Sequence, residues 1–534
     1  MKRKQSLVGL CLLFILSQLT LSCIYHQTRA FRAESVEAAS IIKSPTKVHL
    51  YDGSLVVFPE GFVLRDDTIT GYGTRYDLTR KEVIEGKQNV AQKSVAFLEY
   101  YEKRIQAGPI IGGASAPVLF NLAIQNPKIY KAFFGSCPTL YSFDGKDFHL
   151  QAESFSYSVS RNIETEDLDR IEQGKTLNEH YFLNVRNEAL ETHYINSMKL
   201  LVVDHPKEYE PFPENRSFLS RKDRIILFGR ESRIIKATSR TGRNVKPLLS
   251  ARDGLYYTSD TSLVHELTKK VNKDWVEVEV IVPNGAKTMV VALRFRNTLF
   301  HTVQFYDVTL KRQGFYAVDW LGQKMTNPLY LNQLYNRYKR YFGIWVELWN
   351  GSRYLQKEFV DDTGPIAWHQ VAFKLPVPKE NTAKLRLRFL PDNIMLDWVG
   401  ISFEFSDDLV VREIKCSGII DTSGVRSNIS SSLIDKKDNK YLVTYPTDSY
   451  LLSFKMEDKL QAQKRSYFLN SCGFYIEWIR GDWFRYSQNI LDKKSFQLNE
   501  SSIKEAAKIW ISKKASFERQ FFNSRATSEG RGIK

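Results

Sequence analysis

Cys23 is the residue of this sequence whose position most directly indicates a chemical reaction. It follows Ser22 and the uncharged stretch Leu7–Leu21, and that stretch follows basic residues at positions 2–4. The apolar run is short for a membrane span, which needs about 20 residues, so the pattern is typical of a targeting segment. A thiol placed directly after it is a nucleophile that can accept a lipid.

Residues 19–23, Leu-Thr-Leu-Ser-Cys, resemble the lipobox of bacterial lipoproteins, with Thr20 where the family prefers leucine. The resemblance implies that Cys23 carries diacylglycerol and becomes the first mature residue. Such a modification would anchor the protein firmly, because two or more acyl chains hold a protein on a membrane better than one. Residue 24 is Ile and not the Asp associated with the inner membrane, which implies a lipid anchor in the outer membrane of the cell envelope. The alternative is an ordinary signal peptide with Cys23 as a free thiol.

Trp345, Glu347 and Trp349 form a candidate ligand-binding stripe. Alternation with Ile344, Val346 and Leu348 predicts a strand whose apolar face is buried, which places the two indoles and the carboxylate on the opposite face. Flat aromatic rings stack on the C–H faces of sugars while polar groups bind the hydroxyls. The alternative is that another segment covers this face, because large exposed apolar patches are rare.

Three other places combine acids or histidine: Asp204-His205 as an acid–base pair, and Asp144 with Asp147 or Asp361 with Asp362 as calcium ligands. Each also fits a turn at the end of a strand, which is the interpretation we favour. The sequence contains no P-loop, GxGxxG, GxSxG, HExxH or CxxC motif. We therefore predict no catalytic residue, metal site or cofactor, and favour a protein that is not an enzyme.

The composition is that of a folded protein rich in strands. Of 534 residues, 43% are hydrophobic and 25% charged, and the 27 Tyr, 33 Phe and 9 Trp favour β structure. The net charge of +16 favours anionic lipid headgroups or polysaccharide as a partner over nucleic acid in an exported protein. Cys137, Cys416 and Cys472 allow at most one disulfide, and we favour buried thiols.

The elements that must position these residues are predicted to be mainly β. The predicted segments are a signal peptide (1–22), a lipidated tether (23–45), a small Sm- or SH3-like barrel domain (46–105), an apolar Gly/Ala-rich segment (106–133), a β-rich domain (134–254), a jelly-roll-like β-sandwich (255–408), a β-rich extension (409–490), and a C-terminal amphipathic helix with a tail (491–534). For residues 106–126 we favour burial or contact with a membrane surface over a second membrane span.

Turn and cap residues delimit several of these segments. Asp52-Gly53 and Asp66-Asp67 predict hairpins in the small barrel, because such turns need positive φ. Ser502 and Glu505 form a predicted capping box for the C-terminal helix, whose apolar face we expect to dock on a sheet.

A hairpin block in the middle of the chain carries a second resemblance. Residues 135–139, Gly-Ser-Cys-Pro-Thr, lead into Tyr-Ser-Phe-Asp-Gly at 141–145, and Leu-Val-Val-Asp-His-Pro follows at 201–206. This arrangement resembles a group of uncharacterised bacterial envelope lipoproteins and secreted proteins, and the resemblance implies an envelope location without implying an activity.

The second half shows the clearest period-two alternation, at 276–280, 291–296, 344–349 and 384–389. Such alternation, repeated with turns between, predicts antiparallel strands of a sandwich. Residues 368–373 and 396–401 resemble strands of galactose-binding-like jelly rolls. Two functions fit these features: a non-enzymatic envelope lipoprotein that binds glycan or an envelope protein, or a structural assembly factor. A carbohydrate-active hydrolase with paired carboxylates is the enzymatic alternative.

Replacement of Cys23 tests the anchor. Cells grown with radiolabelled palmitate are expected to label the wild-type protein and not the Cys23→Ala variant, because the variant lacks the acceptor thiol. Cys137→Ala serves as the control and should retain the label. A labelled Cys23→Ala variant would contradict the prediction.

Overall fold

The computed structural model describes residues 24–31, 41–105, 137–189, 191–215, 225–422, 429–446, 448–456, 464–479, 483 and 498–528. The predicted signal peptide, Cys23 and the apolar segment 106–133 lie outside these residues. The chain divides into two compact units: unit 1 comprises 1–126, 311–326 and 478–492, and unit 2 comprises 127–310, 327–477 and 493–534. The α-helices are α1 Lys246–Leu249, α2 Thr261–Leu267, α3 Leu299–Thr302, α4 Ala317–Lys324, α5 Pro328–Tyr341 and α6 Glu500–Ser528.

Unit 1 contains a barrel-like antiparallel sheet. Its strands are β1 Ile24–Phe31, β2 Ile41–Ile42, β3 Thr46–Leu50, β4 Leu55–Phe58, β5 Phe62–Arg65, β6 Thr68–Tyr76, β7 Val83–Ala91 and β8 Val95–Ile105. The order is β1-β8-β3-β4-β6-β5-β2, with β7 on the other edge of β6. Both predicted hairpins are confirmed, since Gly53 has φ of 80° and Asp66 and Asp67 have φ of 46° and 56°.

Distant segments of the chain complete the polar interior of unit 1. The Lys47 ammonium on β3 lies 2.8 Å from Asp319 on α4, and both side chains are 2% exposed. The Glu99 carboxylate on β8 accepts the backbone N–H of Ile479 at 2.9 Å. Because buried charges must be paired and buried N–H groups must be bonded, these two contacts restrict where residues 311–326 and 478–479 pack.

Unit 2 contains the remaining strands. They are β9 Thr139–Phe143, β10 Phe148–Glu153, β11 Thr165–Ile171, β12 Thr176–Leu177, β13 His180–Arg186, β14 Glu191–His205, β15 Glu210–Pro213, β16 Ile225–Phe228, β17 Ile234–Ser239, β18 Asp274–Ile281, β19 Thr288–Asn297, β20 Ile344–Trp349, β21 Tyr354–Val360, β22 His369–Pro376, β23 Thr382–Phe389, β24 Ile394–Ser402, β25 Phe405–Ser406, β26 Val411–Lys415, β27 Gly418–Asp421, β28 Leu442–Thr444, β29 Ser449–Lys455 and β30 Lys464–Glu477.

The first sandwich of unit 2 interleaves early and late strands. One sheet runs β10-β9-β13-β29-β27 and the other β11-β30-β14-β26, and their inner faces share a core that includes Leu183, Leu200 and Leu452. The predicted β-rich domain (134–254) and β-rich extension (409–490) therefore contribute strands to the same sheets. Nothing in either local sequence specifies this pairing, because it joins segments far apart in the chain.

The second sandwich is formed by the strands with the clearest alternation. The sheets β17-β18-β23-β20-β21 and β22-β19-β24 face each other across a core in which Val276, Val278 and Val280 are fully buried. A smaller sheet, β15-β16-β25, packs Phe212 and Phe228 against Trp398 on the outer face of β24. The mainly β class, the barrel-like sheet, the sandwich and the C-terminal helix are confirmed.

Helices interrupt the predicted sandwich segment 255–408. Residues 299–341 form α3, a π-helical turn at Val303–Leu310, α4 and α5 between β19 and β20. This insertion was not predicted from strand alternation. The signal for α5 is Asn327-Pro328, in which the Asn327 side chain caps the helix.

The C-terminal helix α6 docks through one buried carboxylate. Asp392, fully buried with φ of 58°, accepts the indole N–H of Trp510 at 2.7 Å and the ammonium of Lys514 at 2.6 Å. The capping box lies one turn before the predicted one: Asn499 Oδ1 accepts the N–H of Ser502, and Ser502 Oγ accepts the N–H of Asn499. The predicted box at Ser502 and Glu505 is wrong because the helix starts at Glu500.

The thiols of Cys137, Cys416 and Cys472 are buried and are not joined in a disulfide, as favoured from the sequence. In the part of the chain that is described, no helix combines the length and apolar character needed to cross a membrane.

The buried pair in unit 1 supports a stability prediction. Asp319→Ala leaves the Lys47 ammonium buried without its partner and should lower the free energy of unfolding of unit 1 by about 3–5 kcal/mol. Hydrogen exchange of the β3 and β8 amides measures this loss. Arg75→Ala is the control, because its pair with Asp52 is surface-exposed, and it should cost below about 1 kcal/mol. Equal effects of both variants would refute a docking role for Asp319.

Candidate functional site

A cleft in unit 2 collects carboxylates from several separate segments. We call it the acidic cleft. It has a volume of about 90 Å³, which exceeds what one water molecule needs. Its acidic residues are Glu166 and Asp167 on β11, Glu214 after β15, and Asp361 and Asp362 after β21. Phe155, Tyr157, Val360, His369 and Val371 supply aromatic, apolar and imidazole surface.

The turn after β10 is shaped by β11 and β30. Asp167 accepts the backbone N–H of Phe155 at 2.9 Å and the N–H of Leu168 at 3.0 Å. Phe155 has φ of 42° and packs over Gly473, where an added Cβ would lie 2.9 Å from its ring. A glycine at this position of β30 is therefore needed for the ring to reach the cleft wall.

Two further acids, Asp169 on β11 and Glu153 on β10, lie next to the residues that line the cleft. The carboxyl of Asp169 is 6% exposed, and its Oδ1 lies 3.8 Å from Nδ1 of His369. Burial, together with the negative charges of Asp167 and Glu153, raises the pKa of Asp169 to about 7, against the effect of His369. Glu153 itself is held by the backbone N–H groups of Ile366 and Ala367, at 2.6 and 2.9 Å.

The opposite wall is formed by the segment after β21. Asp362 accepts the N–H of Gly343 at 3.0 Å and the amide of Asn393 at 3.1 Å, and its own N–H donates to the Tyr338 hydroxyl at 3.2 Å. Burial raises the pKa of Asp362. Burial also raises the pKa of Tyr157 well above its usual range, and the charges of Asp361 and Asp362 act in the same direction. Tyr157 therefore keeps its proton and can donate a hydrogen bond.

These groups define what the acidic cleft can bind. Five carboxylates line it, and the imidazole of His369 is the basic group among the lining residues. Carboxylate oxygens accept hydrogen bonds, so the complementary ligand carries several donors, such as hydroxyl or ammonium groups, and an anionic ligand is repelled. Among the described residues no group of three or more His, Cys, Asp or Glu side chains is arranged to hold a metal ion.

The predicted stripe of Trp345, Glu347 and Trp349 lies on one strand, β20, but other groups cover it. The Trp345 indole donates to the Lys339 carbonyl at 2.8 Å at the end of α5. Glu347 is 7% exposed and lies 3.1 Å from the Arg388 guanidinium. The half-buried Trp349 ring packs 5.1 Å from the Tyr354 ring. The structure thus places α5 against Trp345 and Glu347 in an ion pair, and both Trp side chains stay half-exposed.

The other acid and histidine candidates have structural partners. Asp204 pairs with Arg412 and with Arg465, whose Nε lies 2.7 Å away, whereas His205 contacts Ser466 Oγ at 2.9 Å. Asp204 and His205 therefore form no acid–base pair. Asp144 accepts the N–H groups of residues 146 and 147 in its turn, at 2.8 Å each. Asp361 and Asp362 both line the acidic cleft, but among the described residues they belong to no group of side chains arranged to bind a metal ion.

Of the residues that line the acidic cleft, Asp361 and Asp362 are candidates from the sequence, whereas Asp167 and His369, with the neighbouring Asp169, are identified only by the structure. Asp167 and Asp169 alternate on β11 and so share one face, which is a signal that was readable as two inward carboxylates in one strand. Their meeting with His369 has no local signal, because β22 follows some 200 residues later in the chain.

Comparisons with known proteins identify no family. No family model matches the chain, and no curated protein sequence matches it. Among solved structures, the exo-β-1,3-galactanase of Phanerochaete chrysosporium has 11% identity and a TM-score of 0.19, covering 68% of this chain and 82% of its own. The cycloalternan-forming enzyme of Listeria monocytogenes has 10% identity and a TM-score of 0.17, covering 64% and 31%. Allantoicase has 10% identity and a TM-score of 0.17, covering 54% and 98%. Similarity at this level carries no functional argument.

The raised pKa of Asp169 predicts a pH-dependent stability. The folded protein keeps this proton up to about pH 7, whereas an unfolded aspartate releases it near pH 4. Stability contributed by Asp169 is therefore lost as pH rises from about 4 to 7, by up to about 1.4 kcal/mol per pH unit.

The side chain introduced by Asp169→Asn cannot ionise. Between pH 4 and pH 8 the free energy of unfolding should therefore fall less in this variant than in the wild type. Urea unfolding at both pH values measures the difference. Asp408→Asn, an exposed control, should follow the wild type. Parallel curves for Asp169→Asn and the wild type would contradict the assignment.

Proposed function

We propose that this protein is a lipid-anchored, non-enzymatic lipoprotein of the cell envelope that binds a glycan in the acidic cleft. The observation that carries the glycan proposal is the convergence of five carboxylates, Tyr157 and His369 on one concave site. The lipobox-like sequence ending at Cys23 supports the anchor and the outer membrane as its location. The glycan proposal and the lipid anchor rest on independent observations, so each has its own test.

The chemistry of the cleft favours a polyhydroxylated ligand. Asp167 and Asp361 supply acceptor oxygens and Tyr157 supplies a donor, whereas Glu166 pairs with Lys437. Phe155 and Val371 supply apolar surface for the C–H face of a sugar ring. The site favours neutral sugars or amino sugars over uronic acids, because a ligand carboxylate would lie beside the carboxylates of Asp167 and Asp361.

Isosteric substitutions test the site. Asp167→Asn together with Asp361→Asn preserves size while removing two charged acceptors, and hydrogen bonds to charged groups contribute about 1.5–3 kcal/mol each. The double variant should therefore bind a neutral or amino-sugar glycan at least about tenfold more weakly than the wild type. A glycan array identifies the ligand, and affinity electrophoresis with that glycan measures the loss.

Two matched variants separate this cleft from the predicted stripe. Glu347→Gln and Trp349→Ala alter β20 and should leave glycan affinity unchanged. If they abolish binding while the cleft variant binds normally, the stripe and not the cleft is the site. If no glycan on the array binds the wild type, the glycan proposal fails and capture of an envelope protein becomes the alternative.

Hydrolysis of the bound glycan is a second candidate function, favoured by one observation. The Asp169 carboxyl holds its proton up to about pH 7 and lies behind a cleft that contains further carboxylates. A general acid with such a pKa is suited to catalysis near neutral pH. Release of reducing ends from the identified glycan, abolished by Asp169→Asn, would establish the enzyme, whereas intact glycan after prolonged incubation would exclude it.

A further inference from the structure

One end of the second sandwich combines exposed apolar and basic side chains. A groove of about 540 Å³ is lined there by Arg230, Arg233, Ile235, Lys246, Ile281 and Phe403, which we call the basic groove. Ile235 is 42% exposed and Ile281 is 62% exposed. A pair of exposed isoleucines in one groove is unusual, because contiguous apolar surface outside a core marks an interaction site.

The cations of the basic groove are available to a partner. Among the described residues, the side chains of Arg230, Arg233 and Lys246 have no acidic group at ion-pair distance. Two acids also line the groove, Glu231 and Glu404. Both acids are exposed, and Glu231 accepts the Trp398 indole N–H at 3.2 Å, so the groove presents three cations beside two acids.

The loop that carries the arginines is held firmly on the sandwich. The N–H of Ser232 donates to the Ile401 carbonyl at 2.7 Å, and the N–H of Gly229 donates to the Glu404 carbonyl at 2.8 Å. Gly229 approaches Glu404 so closely that an added Cβ would lie 2.7 Å from the Glu404 carbonyl oxygen. The basic groups are therefore presented by a fixed backbone next to the two isoleucines.

We propose that the basic groove docks on an anionic phospholipid surface, with Ile235 and Ile281 entering the headgroup region and the cations binding lipid phosphates. Charge complementarity selects the lipid, since each Lys or Arg near an anionic membrane contributes favourably. The isoleucines distinguish this occupant from a soluble polyanion, because a hydrophilic polysaccharide gives no gain from burying them. This contact is separate from the acidic cleft and from any lipid on Cys23.

A local fluorescent probe tests the docking. Ile281→Cys is labelled with nitrobenzoxadiazole in the full-length protein, which is reconstituted in vesicles of phosphatidylglycerol and phosphatidylcholine or of phosphatidylcholine alone. The native cysteines of unit 2 are buried, and an unsubstituted chain labelled in parallel gives the background. Emission at position 281 should shift to the blue in the anionic vesicles and not in the neutral ones.

The same label at Ile420→Cys is the positional control, because Ile420 is 58% exposed on β27 of the same unit. Its emission should not respond to lipid. No shift at position 281, or an equal shift at position 420, overturns the proposal. A shift at position 281 on adding heparin without vesicles also overturns it, and would identify a polyanion site instead.

Charge variants test the cations. Arg230→Ser with Arg233→Ser should lower the docking equilibrium constant, taken from the fraction of shifted label, by about 25-fold, or about fivefold for each basic side chain. Lys269→Ser with Lys270→Ser removes the same charge at the opposite end of β18 and should have little effect. Equal losses for both pairs would show a general charge effect and refute the groove. Because the label reports local contact, the outcome is independent of glycan binding and of lipidation at Cys23.

Discussion

Strand β30 fixes the strands of unit 2 that carry the acidic cleft. It pairs with β14 from Lys464 to Glu477 and with β11 from Tyr467 to Gly473, so it lies between two strands from a much earlier part of the chain. Closing such long loops costs conformational entropy, which the ladder hydrogen bonds and the buried inner face must offset. If β30 were removed, β11 would lose its neighbour in the sheet, and the carboxylates of Asp167 and Asp169 would lose their fixed positions.

The acidic cleft follows from this pairing. Gly473 of β30 makes room for the Phe155 ring, and Asp167 holds the same turn through its N–H bonds. The opposite wall depends on Asp362, which ties the segment after β21 to Gly343 and Asn393. The burial that fixes these carboxylates also raises the pKa values of Asp169 and Asp362, because a low-dielectric surrounding disfavours their charged forms.

Two other groups of buried charges fix the positions of the helices α4 and α6. Lys47 with Asp319 in unit 1, and Asp392 with Trp510 and Lys514 in unit 2, each join a helix to a β framework. In both cases the apolar pattern of the helix indicates only that one face is buried. The paired charges specify the docking position, because a displaced helix would leave a desolvated charge without a partner.

The sequence by itself determined the local elements. Alternation predicted β18, β19, β20 and β23, and the Asp-Gly and Asp-Asp turns predicted two hairpins in the sheet of unit 1. Both signals are readable because strand periodicity and positive φ are properties of neighbouring residues. Only the tertiary structure decided which strands pair across the chain, that α5 covers Trp345, and that Asp167, Asp169 and His369 meet. These outcomes depend on contacts between segments that are far apart in the chain. Periodicity and turn chemistry describe only neighbouring residues, so they do not specify such contacts.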